Sequence, residues 1–303
     1  MKIVFMGTPE FASASLKRLY DDGHEIACVL TQPDKPGNRG MKVKYSPVKE
    51  MVIEHGAPVY QPVTLKDAAA ADVISETNCD LIVVVAYGKL LPKRILDIPL
   101  SGTVNIHASL LPKYRGAAPI QWAIINGETS TGVTSMYLAE ELDAGDIIEQ
   151  RETPIGKNET AGELRDRLSL IGAEVLSSTI GLIINGKAAR IPQDPDEVSY
   201  APPLSKNDSL INWSDPAAKI KNKIRGLNPW PVATADFNGK VYKVFSVEIT
   251  QDKTSDKKPG EIVSAGENGL EIACADAVVT VKELQAPGGR RMSSAEYLRG
   301  NRI

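Results

Sequence analysis

The stretch "DLIVVVAYG", residues 80–88, sets five aliphatic residues in a row, Leu81 to Val85, and leaves no polar face. A strand of that composition is buried on both sides, the condition of a parallel sheet covered by helices on each face. Working outward, the same grammar repeats. "KIVFMG" (2–7) and "EIACVLTQ" (25–32) are apolar strand runs, separated by a helix pattern from Pro9 to Tyr20 that stops at Asp21-Asp22-Gly23. Ser46-Pro47 reads as an N-cap with proline in the first turn, opening a helix that ends at Gly56. "PVYQP" is a short strand and "KDAAAADVISETN" a helix; downstream come "GTVNIH", a helix from Pro119, "TGVTSMYLA", "DIIEQRE" and a long helix from Thr160 to Ile184. The expected fold class is α/β: an open, doubly wound, mostly parallel sheet over residues 1–189.

Residues 190–206, "RIPQDPDEVSYAPPLSK", mix prolines with acidic residues and show no period, which predicts a linker. Beyond them the style changes to short β segments: "SLINW", "VATADFNGKVYKVFSVEIT", "EIVSAGENGLEIACA" and "AVVTVKELQ", with Asn238-Gly239 as a hairpin turn and a second Asn-Gly downstream. With one helix from Pro216 to Arg225 among them, residues 207–303 predict a small β-barrel domain of the oligonucleotide-binding (OB-like) type.

The chain has 303 residues, 42% of them hydrophobic, and a net charge of −3, so gross charge predicts no partner. The charge is uneven: from Lys206 onward 15 Lys and Arg face 12 Asp and Glu, a net +3, leaving 20 against 26, a net −6, before it. A basic β domain beside an acidic α/β domain hints at a polyanionic partner. The longest apolar run is strand-sized and the chain opens directly on a strand pattern, so a cytoplasmic protein without membrane contact is expected. Cys28, Cys79 and Cys274 are odd in number, far apart and in apolar strands; with three histidines in all, neither disulfides nor a metal site is expected.

The chemistry centres on "TVNIHASLLPKYRG", residues 103–116. Asn105 and His107 are two apart, so on an extended chain both side chains leave the same face. They lie at the carboxyl end of a strand, where open α/β sheets bind ligands. An amide and an imidazole side by side suit an oxyanion developing on a carbonyl. The missing piece is a carboxylate to accept a proton, and "EELDAGDIIEQ" offers Asp143, with Asp146 and Glu140 as alternatives. Asn, His and Asp together fit acyl transfer to an amine without a nucleophilic Ser or Cys.

These residues, with the surrounding "NIHASLLPKYRGAAPIQWAIINGETSTGVTSMYLAEELDAGDII", resemble the catalytic core of the folate-dependent formyltransferases. The match continues through "MKIVFMGTPEFA", "TQPDKPGNRG", "SPVK", "NPWP" at 228–231 and "GGRRM" with "YLRG" near the end. Over that length it resembles the members that formylate methionine carried on initiator tRNA. The resemblance implies 10-formyltetrahydrofolate as donor and initiator methionyl-tRNA as acceptor, with no metal. It implies that Asn105 bonds the formyl oxygen, His107 stabilises the oxyanion, and Asp143 places these two and relays the proton. Ser109, Leu110, Leu111 and Pro112 would form the wall beside the folate, and Ala86, Tyr87, Gly88 and Leu91 would line the pterin pocket. Asn212 departs from the family, where an acidic residue is expected.

Basic positions follow the same expectation. Lys35, Arg39, Lys42 and Lys44, in a loop broken by glycine and proline, would clamp an RNA acceptor end. Lys219, Lys223 and Arg225 on the helix of the second domain, and Arg290 and Arg291 after a Gly-Gly step, are further tRNA contacts. Three rival readings remain: a formyltransferase for a small amine such as glycinamide ribonucleotide or an amino sugar, a non-catalytic RNA-binding module, and an oxidoreductase. The basic loop and β domain argue against the first, and the intact triad against the second. The third lacks its glycine fingerprint, since "MGTPEFA" carries Gly7 alone, read as a tight strand-to-helix connection. The expected assembly is a monomer that binds RNA and not DNA.

Overall fold

The computed structural model describes residues 1–34, 44–250 and 255–303. Lys35, Arg39 and Lys42 lie outside the described residues. In chain order the first elements are β1 (Lys2–Gly7), α1 (Glu10–Asp21), β2 (Glu25–Leu30), α2 (Pro47–His55), β3 (Val59–Tyr60), α3 (Ala69–Glu76), β4 (Leu81–Val85), α4 (Lys93–Leu96) and β5 (Thr103–His107). Then come β6 (Arg115–Gly116), α5 (Pro119–Ile125), β7 (Ser130–Tyr137), β8 (Ile147–Pro154), α6 (Ala161–Ile184) and β9 (Tyr200–Ala201). The chain folds as two compact units. One holds Met1–Pro119, Ser130–Pro154 and Arg165–Ala201; the other holds Ile120–Thr129, Ile155–Leu164 and Pro202–Ile303.

The first unit is built on a seven-stranded sheet in the order β3-β2-β1-β4-β5-β7-β8. The five strands from β3 to β5 run parallel, while β7 and β8 are antiparallel additions, so the sheet is mostly parallel as its two-sided apolar strands require. β4 is buried along its whole length. The helix signals act as read: Ser46 Oγ accepts the Lys49 amide at 3.1 Å, and Gly56 closes α2 in a left-handed conformation, φ 77°.

Alternation along β5 decides where a site can form. Ile82 pairs with Thr103 and Val84 with Asn105, so Thr103, Asn105 and His107 share a sheet face with Ile82 and Val84. Over β1, β2 and β4 that face is covered by a cluster drawn from α3, α4 and their flanking loops, including Ile74, Tyr87, Leu91 and Ile95. The opposite face carries Ile106, against which α6 packs: a β-carbon at Gly172 would lie 3.1 Å from Ile106 Cγ2 and 3.7 Å from Phe11. α6 has the length and composition of a membrane-crossing helix, yet Thr179 within it is fully buried and bonds Ser135 Oγ of β7 at 2.7 Å. Cys28, Cys79 and Cys274 are buried and free, and burial pushes the Cys28 thiol up to about 12, which suits packing residues.

Gly7 ends β1 where backbone and helix approach closely. A β-carbon there would meet the Phe5 ring at 2.7 Å, Ala12 Cβ at 2.8 Å and the Val85 carbonyl oxygen at 2.9 Å. The carbonyl belongs to the neighbouring strand and cannot move aside. Gly7→Ala is therefore expected to lower stability by about 1–3 kcal/mol, measured by denaturant unfolding; an unchanged midpoint would show that the connection has slack.

The second unit contains α7 (Ala217–Gly226), β10 (Ala233–Phe237), β11 (Lys240–Thr250), β12 (Ile262–Gly266), β13 (Gly269–Ala273), β14 (Val278–Gln285), β15 (Arg291–Ser293) and α8 (Ser294–Leu298). Its antiparallel strands follow the path β10-β11-β14-β13-β12, with β15 on the remaining half of β14, the small barrel-like layout expected. Asn238 and Gly239, φ 51° and 78°, make the β10–β11 turn as their sequence signals. The second Asn-Gly works differently: Gly269 opens β13, where a β-carbon would lie 2.7 Å from Ser294 Oγ and 2.9 Å from the Val281 carbonyl oxygen.

Candidate active site

Asn105, His107 and Asp143 come together, all buried, at 8%, 6% and 9% exposure. The two strand residues are presented by the pleat of β5. Asp143 arrives by a less direct route. Tyr137 pairs with Val104, and Leu138 donates its amide to the Thr103 carbonyl at 2.8 Å, so the β7–β8 loop leaves beside the amino-terminal end of β5. It then folds back until Asp143 Oδ2 is 3.8 Å from His107 Nδ1. Of the three acidic candidates, this is the one that faces His107: Asp146 pairs with Arg190 at 3.6 Å, and Glu140 is exposed.

The hydrogen bonds define what each group can do. His107 Nε2 lies 3.0 Å from the Tyr114 carbonyl oxygen, which only accepts, so Nε2 carries a proton and Nδ1 is the edge turned toward Asp143. Asp143 Oδ2 accepts the Gly116 amide at 2.8 Å. The Asn105 amide makes no side-chain hydrogen bond among the described residues. Its amide atoms are not sealed from water, so its donors and acceptor are available to a ligand.

The loop after β5 is pinned from below. Thr134, opposite His107 on β7 and fully buried, donates to the Ser109 carbonyl at 2.6 Å and accepts the Leu111 amide at 3.1 Å. Gln150 Nε2 donates both to Thr134 Oγ1 at 2.9 Å and to the Leu111 carbonyl at 2.8 Å. Ser109 Oγ closes the loop on the Lys113 carbonyl at 2.7 Å, and the Leu111–Pro112 peptide is cis. Ser109 and Leu111 are buried and Leu110 half-buried. Left-handed backbone gathers here: Tyr114, Asp143 and Ala86 have φ of 62°, 50° and 47°. Each such conformation costs a non-glycine residue roughly 1–2 kcal/mol, and strain of this kind collects at sites that need a particular geometry.

At the end of β4 the four pocket candidates separate. Ala86 and Gly88 are exposed, whereas Tyr87 and Leu91 belong to the packed cluster beneath, at 1% and 7% exposure. Burial pushes the Tyr87 phenol up to about 12. A cavity of about 430 Å³, bordered by Leu96, Leu100, Thr103, Leu138, Glu140 and Arg190, lies by the amino-terminal end of β5 and shares the Asp143 loop as a wall. Among the described residues no group of three His, Cys, Asp or Glu could hold a metal.

The basic candidates also divide. Lys44 and Arg290 are exposed; Arg290 pairs with Glu296 at 3.0 Å, and Arg291 pairs with Glu283 while lying 4.4 Å over the Phe245 ring. Lys219 is exposed beside Asp215 at 2.9 Å. Lys223 donates to the Leu210 carbonyl at 2.6 Å, and burial lowers its pKa. Arg225 is not on the basic face: it is buried, its Nη1 donates to the Gly156 and Glu159 carbonyls at 3.0 and 3.1 Å, and its Nε to Asn222 Oδ1 at 3.0 Å. Helical spacing alone put it with Lys219; packing turns it inward, and its Nε and Nη1 are spent on Asn222 and the 156–159 loop.

Three contributors escaped the sequence reading. Arg115, Thr134 and Gln193 are polar, buried or half-buried, and aimed at the site loops. Gln193 lies in the stretch whose prolines read as a linker. That stretch is stitched down: β9 pairs with β6, Ile191 bridges Ile147, and Ser199 Oγ accepts the Tyr114 amide at 2.9 Å. β7 is buried on both faces, so no alternation singles out Thr134, and composition carried no signal for Gln193.

Residues 1–180 match the family described as formyl transferase, and residues 203–302 match the formyl transferase C-terminal domain. A methionyl-tRNA formyltransferase from Alkaliphilus oremlandii is 49% identical over 303 residues, covering 100% of this chain and 97% of the relative. Another of that name, from Clostridioides difficile, is 48% identical over 100% of this chain and 98% of its own. Among solved structures, WlaRD, a sugar 3N-formyl transferase crystallised in the presence of dTDP and 5-N-formyl-THF, has a TM-score of 0.70 at 21% identity, covering 94% of this chain and 97% of that one. HypX from Aquifex aeolicus, in complex with tetrahydrofolic acid, has a TM-score of 0.65 at 20% identity over 98% of this chain and 47% of its own. At identities this low the solved structures speak for the fold alone.

Proposed function

The chain belongs to the formyl transferase family, and from that premise we propose that it transfers the formyl group of 10-formyltetrahydrofolate to the α-amino group of methionine on initiator tRNA. The observation that carries the reading is identity of 48–49% to tRNA-directed relatives along the whole chain, the C-terminal domain included. In this reading residues 1–189 are the catalytic domain, 190–206 the connection and 207–303 the tRNA-binding domain. The enzyme acts as a monomer in the cytoplasm, where translation starts.

The residues divide the work as their bonds allow. The folate supplies the formyl group and the methionine amine attacks its carbon. As the new C–N bond forms, negative charge builds on the formyl oxygen, and the Asn105 amide, without a side-chain partner among the described residues, is the donor ready for it. His107, its Nε2–H already given to Tyr114, meets that charge through Nδ1 and donates there only as the imidazolium. The amine must shed a proton, and Asp143 takes it, then returns it to the nitrogen that leaves the formyl carbon. Ser109 to Pro112, pinned by Thr134 and Gln150, hold the donor against these groups, with Ala86 and Gly88 as the exposed pocket wall and Tyr87 and Leu91 as its packed backing. Lys35, Arg39, Lys42, Lys44, Lys219, Lys223, Arg290 and Arg291 are the phosphate contacts proposed for the tRNA, Arg225 being spent inside the fold.

The test is a formyl-transfer assay with charged initiator tRNA, free methionine, glycinamide ribonucleotide and an amino-sugar nucleotide in parallel. Formylation of the charged tRNA alone is expected, with a KM for tRNA that climbs steeply with salt as phosphate contacts are screened. Formylation of a small amine in place of the tRNA would overturn the proposal in favour of the small-substrate reading.

A further inference from the structure

Asp143 reaches His107 from the wrong end of the strand, and something must hold it there. Its own backbone is in the left-handed region, φ 50°, and the loop is wedged so tightly on β7 that a β-carbon at Gly145 would lie 1.8 Å from the Tyr137 carbonyl oxygen. The holding group is a single carboxamide. Gln193 Nε2 donates to the backbone carbonyls of Asp143 and Gly145, both at 2.8 Å. Its Oε1 accepts Arg115 Nε at 3.0 Å and Nη2 at 2.8 Å. No other orientation of the amide satisfies these partners, because guanidinium only donates and carbonyls only accept. Arg115 is buried, and it adds a contact to Glu141 of the same loop at 3.3 Å, while the next residue gives its amide to Asp143 Oδ2. The loop is thus gripped on its carbonyls, on a side chain and on the reactive carboxylate.

We propose that Gln193 is a positioning residue for formyl transfer: with Arg115 it clamps the 138–146 loop so that the Asp143 carboxylate stands opposite His107. The activity arm of the test rests on the formyl-transfer reading above; the structural arm does not. Gln193→Glu separates the two halves of the contact. The new carboxylate keeps a charge-assisted pair with Arg115 but offers no N–H to the two loop carbonyls and turns negative charge on them. Gln193→Ala removes both halves.

For Gln193→Glu, kcat is expected to fall roughly 10- to 100-fold, the scale of a displacement of about 1 Å at the reacting centre. KM for both substrates should stay within about twofold, since the Gln193 carboxamide is taken up by Arg115 and the loop carbonyls. The thermal midpoint should hold, and amide exchange at Gly116 should rise about tenfold or more as the Asp143 contact opens. Gln193→Ala should show the same kinetic loss. Wild-type kcat and wild-type Gly116 exchange in Gln193→Glu would overturn the proposal. So would a kcat that falls only in step with the thermal midpoint in both variants, which marks a merely structural contact. A wild-type enzyme without formyl transfer would instead sink the functional reading, and Gly116 exchange then decides the clamp by itself.

Discussion

Asp143→Asn should reduce kcat by about 10³-fold, inside the 10²–10⁴ range of a positioned proton acceptor, with the fold intact. The substitution is nearly isosteric. An asparagine oxygen still accepts the Gly116 amide, which Oδ2 takes at 2.8 Å, and asparagine tolerates a φ of 50° as well as aspartate does. What disappears is the ability to take a proton from the amine. Single-turnover transfer to charged tRNA reports the loss, and the thermal midpoint should not move. Retention of more than about a tenth of wild-type kcat would show that another group takes the proton.

Asn105→Ala should cost about 10²–10³ in kcat, the scale for one lost oxyanion donor, and unlike most buried substitutions it should not destabilise the protein. The reason lies in the accounting of its polar atoms. Asn105 is 8% exposed, yet its amide has no side-chain partner among the described residues and reaches water, so its removal strands no buried polar group. A kinetic defect with an unchanged unfolding midpoint is the signature of a group kept for a ligand. If the variant unfolds several degrees early, the amide has a structural bond and the assignment fails. His107→Ala makes a useful contrast, since it also deletes the 3.0 Å bond to the Tyr114 carbonyl that ties the loop to the strand.

Much of the architecture could be read before any coordinate. Leu81–Val85 is apolar throughout, and β4 is buried throughout. Ser46 and Gly56 cap α2, and Asn238-Gly239 turns β10 into β11, because cap and turn chemistry depends on neighbours a few residues away. Asn105 and His107 follow from the period of a strand. The readings that moved share a different trait. Arg225 has the helical spacing of a surface cation, but the loop at 156–159 covers it. Tyr87 and Leu91 are apolar beside a pocket edge, and the α3–α4 cluster takes them into its packing while Ala86 and Gly88 stay outside. Gln193 sits among prolines and acids and reads as tether, but long-range pairing makes it part of the site.

The sequence by itself determined the long strands and helices, the face on which Asn105 and His107 stand and, through its resemblance, the chemistry they serve. These are short-range properties, set by periodicity and by bonds within a turn. "SLINW", read as a strand, forms only a single bridge from Leu210 to Thr234, and the short elements β6, β9, β15, α4 and α8 escape the sequence reading altogether. The resemblance already points to Asp143 as the carboxylate; only the tertiary structure shows how it is brought to face His107. Asp143, Asp146 and Glu140 are equivalent in local sequence terms, and the choice falls to Asp143 because Gly116, Gln193 and Arg115 converge on its loop from distant parts of the chain. Hydrogen bonds between residues tens of positions apart leave no period in the sequence, so they become visible only when the chain is folded.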